Sequence, residues 1–375
     1  MSVTLFVPAE TRLHEKRVAL VPAVVPKLAK LGIDIYLQPG AGDAARLPDA
    51  LYTEVGVTAD KPPSGVDLIF RVQPPSIAEI ELMKPGTVLC CFVYAHRELP
   101  ILRALRDHQI TCFAMELVPR ITRAQAMDAL SSQAALAGYY AALLAATNLN
   151  RILPMMTTAV GSLRPAKILV MGAGVAGLQA LATAKRLGAM VEGYDVRPEV
   201  KEQVESVGGR FVDTGVSASG LGGYARELTE EEQAKVATVL TRHIQQADAV
   251  ITTASIPGRP SPKIISKEQI MGMKPGSVII DLAAEGGGNT PLTQPGDTVE
   301  VGPATIVAPL NIPSHLAEHA SELYARNLLS LVGLMVKDGE LSIDWEDEIL
   351  AGAVLTHAGE IKHKVAREAA ESSGE

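Results

Sequence analysis

Three glycines between Lys167 and Arg197 have a spacing that could bind a phosphate group. The stretch KILVMGAGVAGLQALATAKRLGAMVEGYDVR starts as an apolar strand, passes through Gly172, Gly174 and Gly177, and continues as a helical pattern. The first glycine permits a tight turn, the second lets the backbone approach a pyrophosphate, and the third lets helix and strand pack closely. The N-terminus of the helix would then face phosphates with unpaired N–H groups and positive dipole.

A carboxylate at the end of the next strand completes this pattern. Asp195 lies eighteen positions after Gly177, where it can accept hydrogen bonds from both hydroxyls of a ribose. The ordered strand, turn, helix, strand and acid predict a dinucleotide site. Because Asp195 would repel a 2′-phosphate, we expect NAD(H) rather than NADP(H). Arg197 could hold such a phosphate, although we interpret it as a solvated charge at a helix start.

Alternating strand-like and helical segments must position these residues. The first third of the chain contains the strand-like runs VTLFVPA, IDIYLQPG, VDLIFRVQ, TVLCCFVY and ITCFAMEL, and the alternation restarts at Lys167 with AMVEGYD, ADAVITTA, GSVIIDLA and ATIVAPL following. Short apolar runs separated by helical patterns are typical of parallel sheets covered by helices. We therefore predict the α/β class, with two Rossmann-like, doubly wound parallel-sheet domains.

Two helical segments are predicted to join these domains. Residues 129–150 carry no formal charge, but their serine, glutamine and asparagine residues favour a buried helix over a membrane span. A second helical pattern follows Pro313 and is expected to cross back. This predicts a first domain of residues 1–126 plus 328–375, a second domain of residues 127–327, a cleft between them, and a frayed tail in AREAAESSGE.

Composition narrows the class of protein. The 375 residues are 47 % hydrophobic and have a net charge of −8 with both signs interspersed, which argues against nucleic acid as a partner. Cys90, Cys91 and Cys112 lie in apolar runs without the spacing of a zinc or redox site, so we predict reduced core cysteines and no metal. Without a signal-peptide pattern at the start, we expect a cytoplasmic protein with no direct membrane insertion.

The polar residues at the later strand ends form an incomplete set for acid–base chemistry. A dehydrogenase that acts on a carbonyl or imine must move a proton as well as a hydride. The candidates are Thr252, Thr253, Asp281, Glu285, Asn311 and His315. Glu285 precedes three glycines and could equally cap a turn, so both interpretations stay open.

Motifs along nearly the whole chain resemble one family. Besides the glycine segment they are RVALVPAVVPKLAKLG, QPGAGDAARLPD, AMELVPRITRAQAMDALSSQAALAGY, ESVGGRFV, GGYARELTEE and MKPGSVIIDLAAEGGGN. They are similar to the NAD(H)-binding domain I, or alpha subunit, of proton-translocating NAD(P) transhydrogenase. Alanine dehydrogenase is a near relative that shares the fold, the glycine pattern and several loops.

Positions in the first domain discriminate between these two relatives. Alanine dehydrogenases use an arginine, a lysine and a histidine for substrate carboxylate, carbonyl oxygen and proton. Arg17 matches the arginine, whereas Gln73 takes the lysine position and Tyr94 the histidine position. A small shift could bring His96 into place, and Glu285 replaces the family aspartate. The alternatives are an alanine dehydrogenase-like, NAD-dependent amino-acid dehydrogenase and a non-catalytic NAD(H)-sensing module.

Transhydrogenase chemistry explains the loss of an acid and a base. Hydride transfer between two nicotinamide C4 atoms leaves no oxyanion to protonate, so catalysis reduces to alignment. The resemblance implies that Arg120, Asp128 and Ser131 orient the NAD(H) nicotinamide and that Gln125 reaches toward the partner's cofactor. Spacing three apart places Gln125, Asp128 and Ser131 near one helical face.

The resemblance also implies the remaining site and the partners. Tyr224 belongs to GVSASGLGGYARELTEEEQ, a predicted mobile loop that closes over the nucleotide. The implied partners are an NADP(H)-binding subunit, membrane-spanning subunits that translocate protons, and a second copy in a homodimer, with the chain peripheral on the inner face of the cell membrane. The implied cofactor-binding residues are Gly172, Gly174, Val175, Ala176, Gly177, Asp195, Val196, Arg197, Gly223, Thr253 and Ala254.

Overall fold

The computed structural model describes residues 2–60, 65–217, 228–255 and 259–372. The chain divides into two compact units, which we call the first unit (Met1–Gln133 with Pro313–Glu375) and the second unit (Ala134–Ile312). The sequence-based boundaries after residues 126 and 327 stay predictions.

Strands and helices alternate along most of the chain. In order, the strands are β1 (Val3–Val7), β2 (Ile33–Leu37), β3 (Thr58–Ala59), β4 (Leu68–Phe70), β5 (Val88–Cys91), β6 (Thr111–Ala114), β7 (Met156–Thr158), β8 (Gly161–Leu163), β9 (Lys167–Met171), β10 (Met190–Tyr194), β11 (Arg210–Phe211), β12 (Ala249–Thr252), β13 (Ser277–Asp281), β14 (Thr298–Val301), β15 (Ala304–Val307), β16 (Val336–Lys337), β17 (Glu340–Leu341), β18 (Val354–His357) and β19 (Glu360–Ile361). The α-helices are α1 (Val25–Ala29), α2 (Asp49–Thr53), α3 (Ile77–Glu81), α4 (Leu99–Asp107), α5 (Ala129–Asn148), α6 (Val175–Arg186), α7 (Lys201–Ser206), α8 (Glu230–Gln246), α9 (Lys267–Met271), α10 (Ala317–Val332), α11 (Glu348–Ala353) and α12 (Lys364–Ser372).

The sheet of the first unit has the order β19-β18-β6-β5-β4-β1-β2-β3. Its strands are parallel except for β18, which pairs antiparallel with β6 and with β19. Strand β5 shows how the sheet is covered, because Val88 and Cys90 join one apolar core while Leu89 and Cys91 join another. Successive side chains point to opposite faces, so both faces of this sheet are buried, as in parallel α/β folds.

The sheet of the second unit has the order β11-β10-β9-β12-β13-β15-β14. All neighbours are parallel except β14, which pairs antiparallel with β15. Chain order reverses between β9 and β12, and in open α/β sheets this switch point opens a crevice beyond the strand C-termini where ligands bind. The predicted α/β class with two Rossmann-like sheets is confirmed.

Three local predictions can be compared with the helices and buried residues. The uncharged segment forms α5, which ends at Asn148, and the three cysteines are buried with free thiols. The frayed tail is wrong through Ser372, because α12 buries Ala366 and Ala370 against the first unit. Along the described ranges, no helix combines the length and apolarity needed to cross a bilayer.

Candidate functional site

The glycine turn lies between β9 and α6 in the second unit. Gly172 has a φ of +97°, and a Cβ there would lie 2.5 Å from the Thr253 hydroxyl. A Cβ on Gly177 would lie 1.9 Å from the Gly172 carbonyl oxygen, whereas one on Gly174 would meet no protein atom within 4 Å. Two glycines are therefore required by packing, and Gly174 leaves its side of the backbone open to a ligand. Val175 and Ala176 form the first turn of α6.

The end of β12 packs directly on this turn. The Thr253 hydroxyl donates to the Gly172 carbonyl at 2.8 Å, and the Thr253 N–H donates to Met171 at 3.0 Å. Ala254 is held by Asn289, whose side chain accepts from the Ala254 N–H and donates to its carbonyl. Thr253 and Ala254 thus lie beside the glycine turn, and Asn289, which the sequence argument missed, fixes their backbone.

Asp195 follows β10 and is 8 % exposed. Its Oδ2 accepts from the Ala173 N–H at 2.8 Å, which ties the carboxylate to the glycine turn. Arg197 donates to Oδ1 through its backbone N–H and Nε and to Oδ2 through Nη2. Burial favours the neutral acid, but the Arg197 hydrogen bonds outweigh it and lower the pKa of Asp195.

Arg197 is therefore not the solvated charge that the sequence suggested. Its side chain is 21 % exposed and forms a two-pronged ion pair with Asp195, a geometry that the planar guanidinium favours. Asp195 already accepts four hydrogen bonds, so a ribose hydroxyl must share or replace one of them. The intervening Val196 packs against the apolar core beside β9.

Asp281 is fully buried and takes part in structure rather than in proton transfer. It accepts hydrogen bonds from the Thr252 and Thr293 hydroxyls and from the Ala283 and Asn289 N–H groups. This set ties the end of β13 to the loop that carries Asn289. Asp281 thus supports the backbone beside the glycine turn indirectly.

The other predicted acid–base candidates lie apart from this network. Glu285 is exposed and accepts the N–H of Asn311, whose φ is +45°, so the capping interpretation of Glu285 is confirmed. His315 is exposed in the first unit, where burial together with the charges of Lys16 and His14 lowers its pKa. His96 is also exposed, and burial together with Arg97 lowers its pKa.

The predicted nicotinamide-orienting residues lie around the start of α5. Arg120 and Gln125 are exposed, and Gln125 belongs to the 3₁₀ helix Thr122–Met127. Asp128 leaves helical geometry with a ψ of 86° and accepts from the N–H and hydroxyl of Ser131. The single helical face is therefore wrong, because Asp128 caps α5 instead of continuing a helix.

Arg17 and Gln73 converge on one carboxylate, that of Glu15. Arg17 pairs with Glu15 at 2.6 Å, and the Gln73 amide donates to Glu15 at 2.8 Å. Tyr94 has a φ of +50° and stacks on Phe92 with ring centroids 5.5 Å apart. The sequence argument did not include Glu15, since nothing in local spacing distinguishes it from a surface acid.

Gly223 and Tyr224, predicted for the loop over the nucleotide, lie outside the described residues. The described ranges contain no group of histidine, cysteine and acidic residues that could hold a metal ion.

Family models match both domains of the chain. The alanine dehydrogenase/PNT N-terminal domain matches residues 6–137, and the alanine dehydrogenase/PNT C-terminal domain matches residues 141–364. The chain belongs to the alanine dehydrogenase/PNT family.

Individual members of the alanine dehydrogenase/PNT family refine this assignment. The chain is 46 % identical over 372 residues to an NAD(P) transhydrogenase subunit alpha of Rhodospirillum rubrum, and the match covers 95 % of this chain and 97 % of that protein. The solved transhydrogenase from Sinorhizobium meliloti superimposes with a TM-score of 0.87 at 44 % identity and covers 96 % of this chain and 99 % of its own. Alanine dehydrogenase of Mycolicibacterium smegmatis is 27 % identical, with 95 % of this chain and 93 % of that protein covered. The predicted resemblance is confirmed, and the transhydrogenase alpha subunits are nearer to this chain than that alanine dehydrogenase.

Proposed function

We propose that this chain is the NAD(H)-binding subunit of a proton-translocating NAD(P)⁺ transhydrogenase, where it positions NADH for direct hydride transfer to NADP⁺ on a partner subunit. The observation that carries the proposal is the strand, glycine turn and helix ending in Asp195, in a chain 46 % identical to a transhydrogenase alpha subunit. Oxidoreductase chemistry follows from this family, and the partner and proton coupling belong to the proposal.

The residues present fit a dinucleotide. Gly174 leaves the backbone approachable, and the N-terminus of the twelve-residue helix α6 supplies the N–H groups and dipole that bind phosphate. Asp195 provides an ionised acceptor for ribose hydroxyls. NADH supplies the hydride from its nicotinamide C4 when bound. Arg120, Asp128 and Ser131 would hold its carboxamide and ribose, while Gln125 would reach the second cofactor.

Hydride transfer between two nicotinamides needs neither a general acid nor a general base, and the site is consistent with this. Asp281 is buried beneath four donors, and Glu285 accepts from Asn311. Catalysis by this chain would consist of binding and alignment, which can supply several orders of magnitude in rate. His96 is the observation that favours the amino-acid dehydrogenase alternative, because it is exposed and its lowered pKa leaves the ring neutral and able to act as a base.

The proposed assembly follows from the relatives named as alpha subunits. We propose an NADP(H)-binding subunit and membrane-spanning subunits as partners, a homodimer of this chain, and a peripheral position on the inner face of the cell membrane. Gly223 and Tyr224 would close over the bound nucleotide.

Isotope transfer tests the proposal directly. NADH deuterated at C4 is mixed with the purified chain and NADP⁺ bound to a transhydrogenase NADP(H)-binding subunit, and product NADPH is analysed by mass spectrometry. We expect deuterium in NADPH, since direct transfer does not exchange with water. The same chain is assayed with pyruvate, ammonium and NADH.

Each alternative has its own outcome. Turnover with pyruvate and ammonium would establish the amino-acid dehydrogenase. NADH binding without deuterium transfer to partner-bound NADP⁺ would favour a sensing module. Unlabelled NADPH would contradict direct hydride transfer.

A further inference from the structure

The first unit contains a buried ion pair between Glu15 and Arg17. Their side chains are 0 % and 4 % exposed. Arg17 Nη2 lies 2.6 Å from Oε2 of Glu15, and Nε lies 2.8 Å from Oε1, so the guanidinium meets both carboxylate oxygens. This is the two-pronged geometry with which arginine binds carboxylates.

Four further donors complete the surroundings of the Glu15 carboxylate. Oε1 accepts from the N–H groups of Lys16 and Arg17 and from the Ser314 hydroxyl, at 3.1, 2.9 and 3.1 Å. Oε2 accepts from the Gln73 amide at 2.8 Å. A guanidinium fork, an amide, a hydroxyl and two backbone N–H groups are the donors that a protein places around a small carboxylate ligand.

The remaining terminal nitrogen of Arg17 is engaged as well. Nη1 donates to Oε1 of Gln133 at 2.9 Å, and the Gln133 amide in turn donates to the Ala320 carbonyl. Each of the three side-chain nitrogens of Arg17 therefore donates to a side chain of the first unit. An incoming carboxylate could reach this arginine only by displacing Glu15 or Gln133.

Electrostatics agree that the pair is fully compensated. Burying an ion pair costs free energy unless further hydrogen bonds satisfy both partners. Burial alone would raise the pKa of Glu15, yet the hydrogen bonds and charge of Arg17 and the Gln73 amide lower it to about 2. The donors therefore stabilise a carboxylate more than burial destabilises it.

We propose that these donors form a carboxylate-binding site which the chain fills with its own Glu15, and that Glu15 thereby excludes external 2-oxo acids and amino acids from Arg17. The ligand class of the opened site is a small monocarboxylate. This inference goes beyond the proposed function, because it concerns a ligand that hydride transfer does not use, and it can fail or hold independently of transhydrogenation.

Chemical rescue of Glu15→Ala tests the site. The substitution removes a CH₂–COO⁻ group, and formate or acetate can replace its carboxylate. We expect the thermal midpoint to fall by about 10 °C in chloride. Formate or acetate at about ten times its dissociation constant should then raise the midpoint by about 3–5 °C. Acetamide, which has the shape of acetate without its charge, should give no rise at equal ionic strength.

Glu98→Ala is the matched control. Glu98 pairs with Arg12 at 2.8 Å in the same unit, but both side chains are partly exposed. Removing it also leaves an arginine without that carboxylate, yet no enclosed set of donors remains. Formate and acetate should stabilise Glu98→Ala no more than chloride does.

Two results would overturn the proposal. One is the same midpoint of Glu15→Ala in formate, acetate and chloride; if the variant does not fold in chloride, the comparison becomes its refolding yield in formate against chloride, and equal yields would overturn the proposal equally. The other is calorimetric binding of pyruvate to the wild-type full chain that Arg17→Met abolishes, since that would show that Glu15 leaves the arginine accessible.

Discussion

At the scale of single residues, Asp195 combines a low pKa with saturated hydrogen bonding. Four donors from Ala173 and Arg197 surround its oxygens, so the carboxylate stays ionised throughout the physiological pH range. An ionised acceptor suits ribose hydroxyls and repels a 2′-phosphate. Arg197 is bound to this carboxylate, which explains why an arginine at this position is compatible with a preference for NAD(H).

Replacing Asp195 by asparagine should weaken NADH binding at least tenfold. Hydrogen bonds to a charged acceptor contribute about 1.5–3 kcal/mol each, and the amide NH₂ would also face the Arg197 guanidinium. Calorimetric titration with NADH measures the change. Glu192→Gln on β10 is the matched control, since Glu192 pairs with His243 at 2.7 Å and should leave affinity unchanged. An unaltered dissociation constant for Asp195→Asn would remove Asp195 from the site.

A buried acid should give the protein an inverse pH dependence of stability. Burial raises the pKa of Glu116 from 4.5 to about 7, although its carboxylate accepts from the N–H groups of Val93 and Tyr94. Between these values the folded state binds more protons than the unfolded state, so the free energy of unfolding falls as pH rises. The loss is on the order of 3 kcal/mol and is complete above about pH 7.

Glu116→Gln should remove this contribution. Urea unfolding at several pH values between 4 and 8 measures it, and the variant should show a shallower decline than wild type. The comparison at pH 4 is an internal control, because the wild-type acid is largely neutral there in both states. Parallel curves for the two proteins would contradict the assignment. Glu10, whose pKa burial also raises to about 7 against the charge of Arg71, contributes with the same sign.

At the scale of elements, the sequence predicted what is local and missed what is distant. The turn between β9 and α6 could be read because Gly172, Gly174 and Gly177 are fixed by short-range geometry. The helix through Gln125 and Ser131 was predicted wrongly, since side-chain capping by Asp128 decides where α5 begins. Ser314 and Glu15 lie 299 positions apart, and no periodicity in a single sequence reports such a contact.

Gly138→Ala tests how α5 packs on α6 within the second unit. Helix propensity alone predicts a gain of about 1 kcal/mol. A Cβ at Gly138, however, would lie 2.0 Å from the Ala176 carbonyl oxygen, so the two helices must separate. We expect lower stability and weaker NADH binding, because Ala176 is in the first turn of α6.

Thermal unfolding and NADH titration measure both effects of this substitution. Gly333→Ala is the matched control, since Gly333 follows α10 with a helical φ of −61° and its Cβ would lie 3.3 Å or more from its neighbours. A Gly138→Ala variant as stable as wild type would show that the helices tolerate the methyl group.

At the scale of the whole molecule, residues from both units are assigned to one nucleotide. The glycine turn and Asp195 belong to the second unit, while the nicotinamide-orienting residues 120–131 belong to the first. Neither unit would account for the function alone. Sequence could anticipate this division of roles only through resemblance, because no pattern within residues 120–131 specifies nicotinamide.

Hydrogen exchange with two ligands separates these roles. NADH should protect amides of residues 172–177, 195–197 and 253–254, and also of residues 120–131. ADP-ribose, which lacks the nicotinamide, should protect only the first three segments. Mass spectrometry of exchanged peptides measures the difference. Equal protection of residues 120–131 by both ligands, or by neither, would contradict their proposed role.

The antiparallel pairing of β6 with β18 sets a condition on biosynthesis. Thr111 and His357, which meet across this pair, are 246 positions apart, and ribosomes add about 5–20 residues per second. A nascent chain therefore carries β6 as an open sheet edge for about 10–50 s while the second unit emerges and folds. Such an edge can pair with another nascent chain, so the yield of this protein should depend on translation speed and on chaperones that shield the edge until β18 arrives.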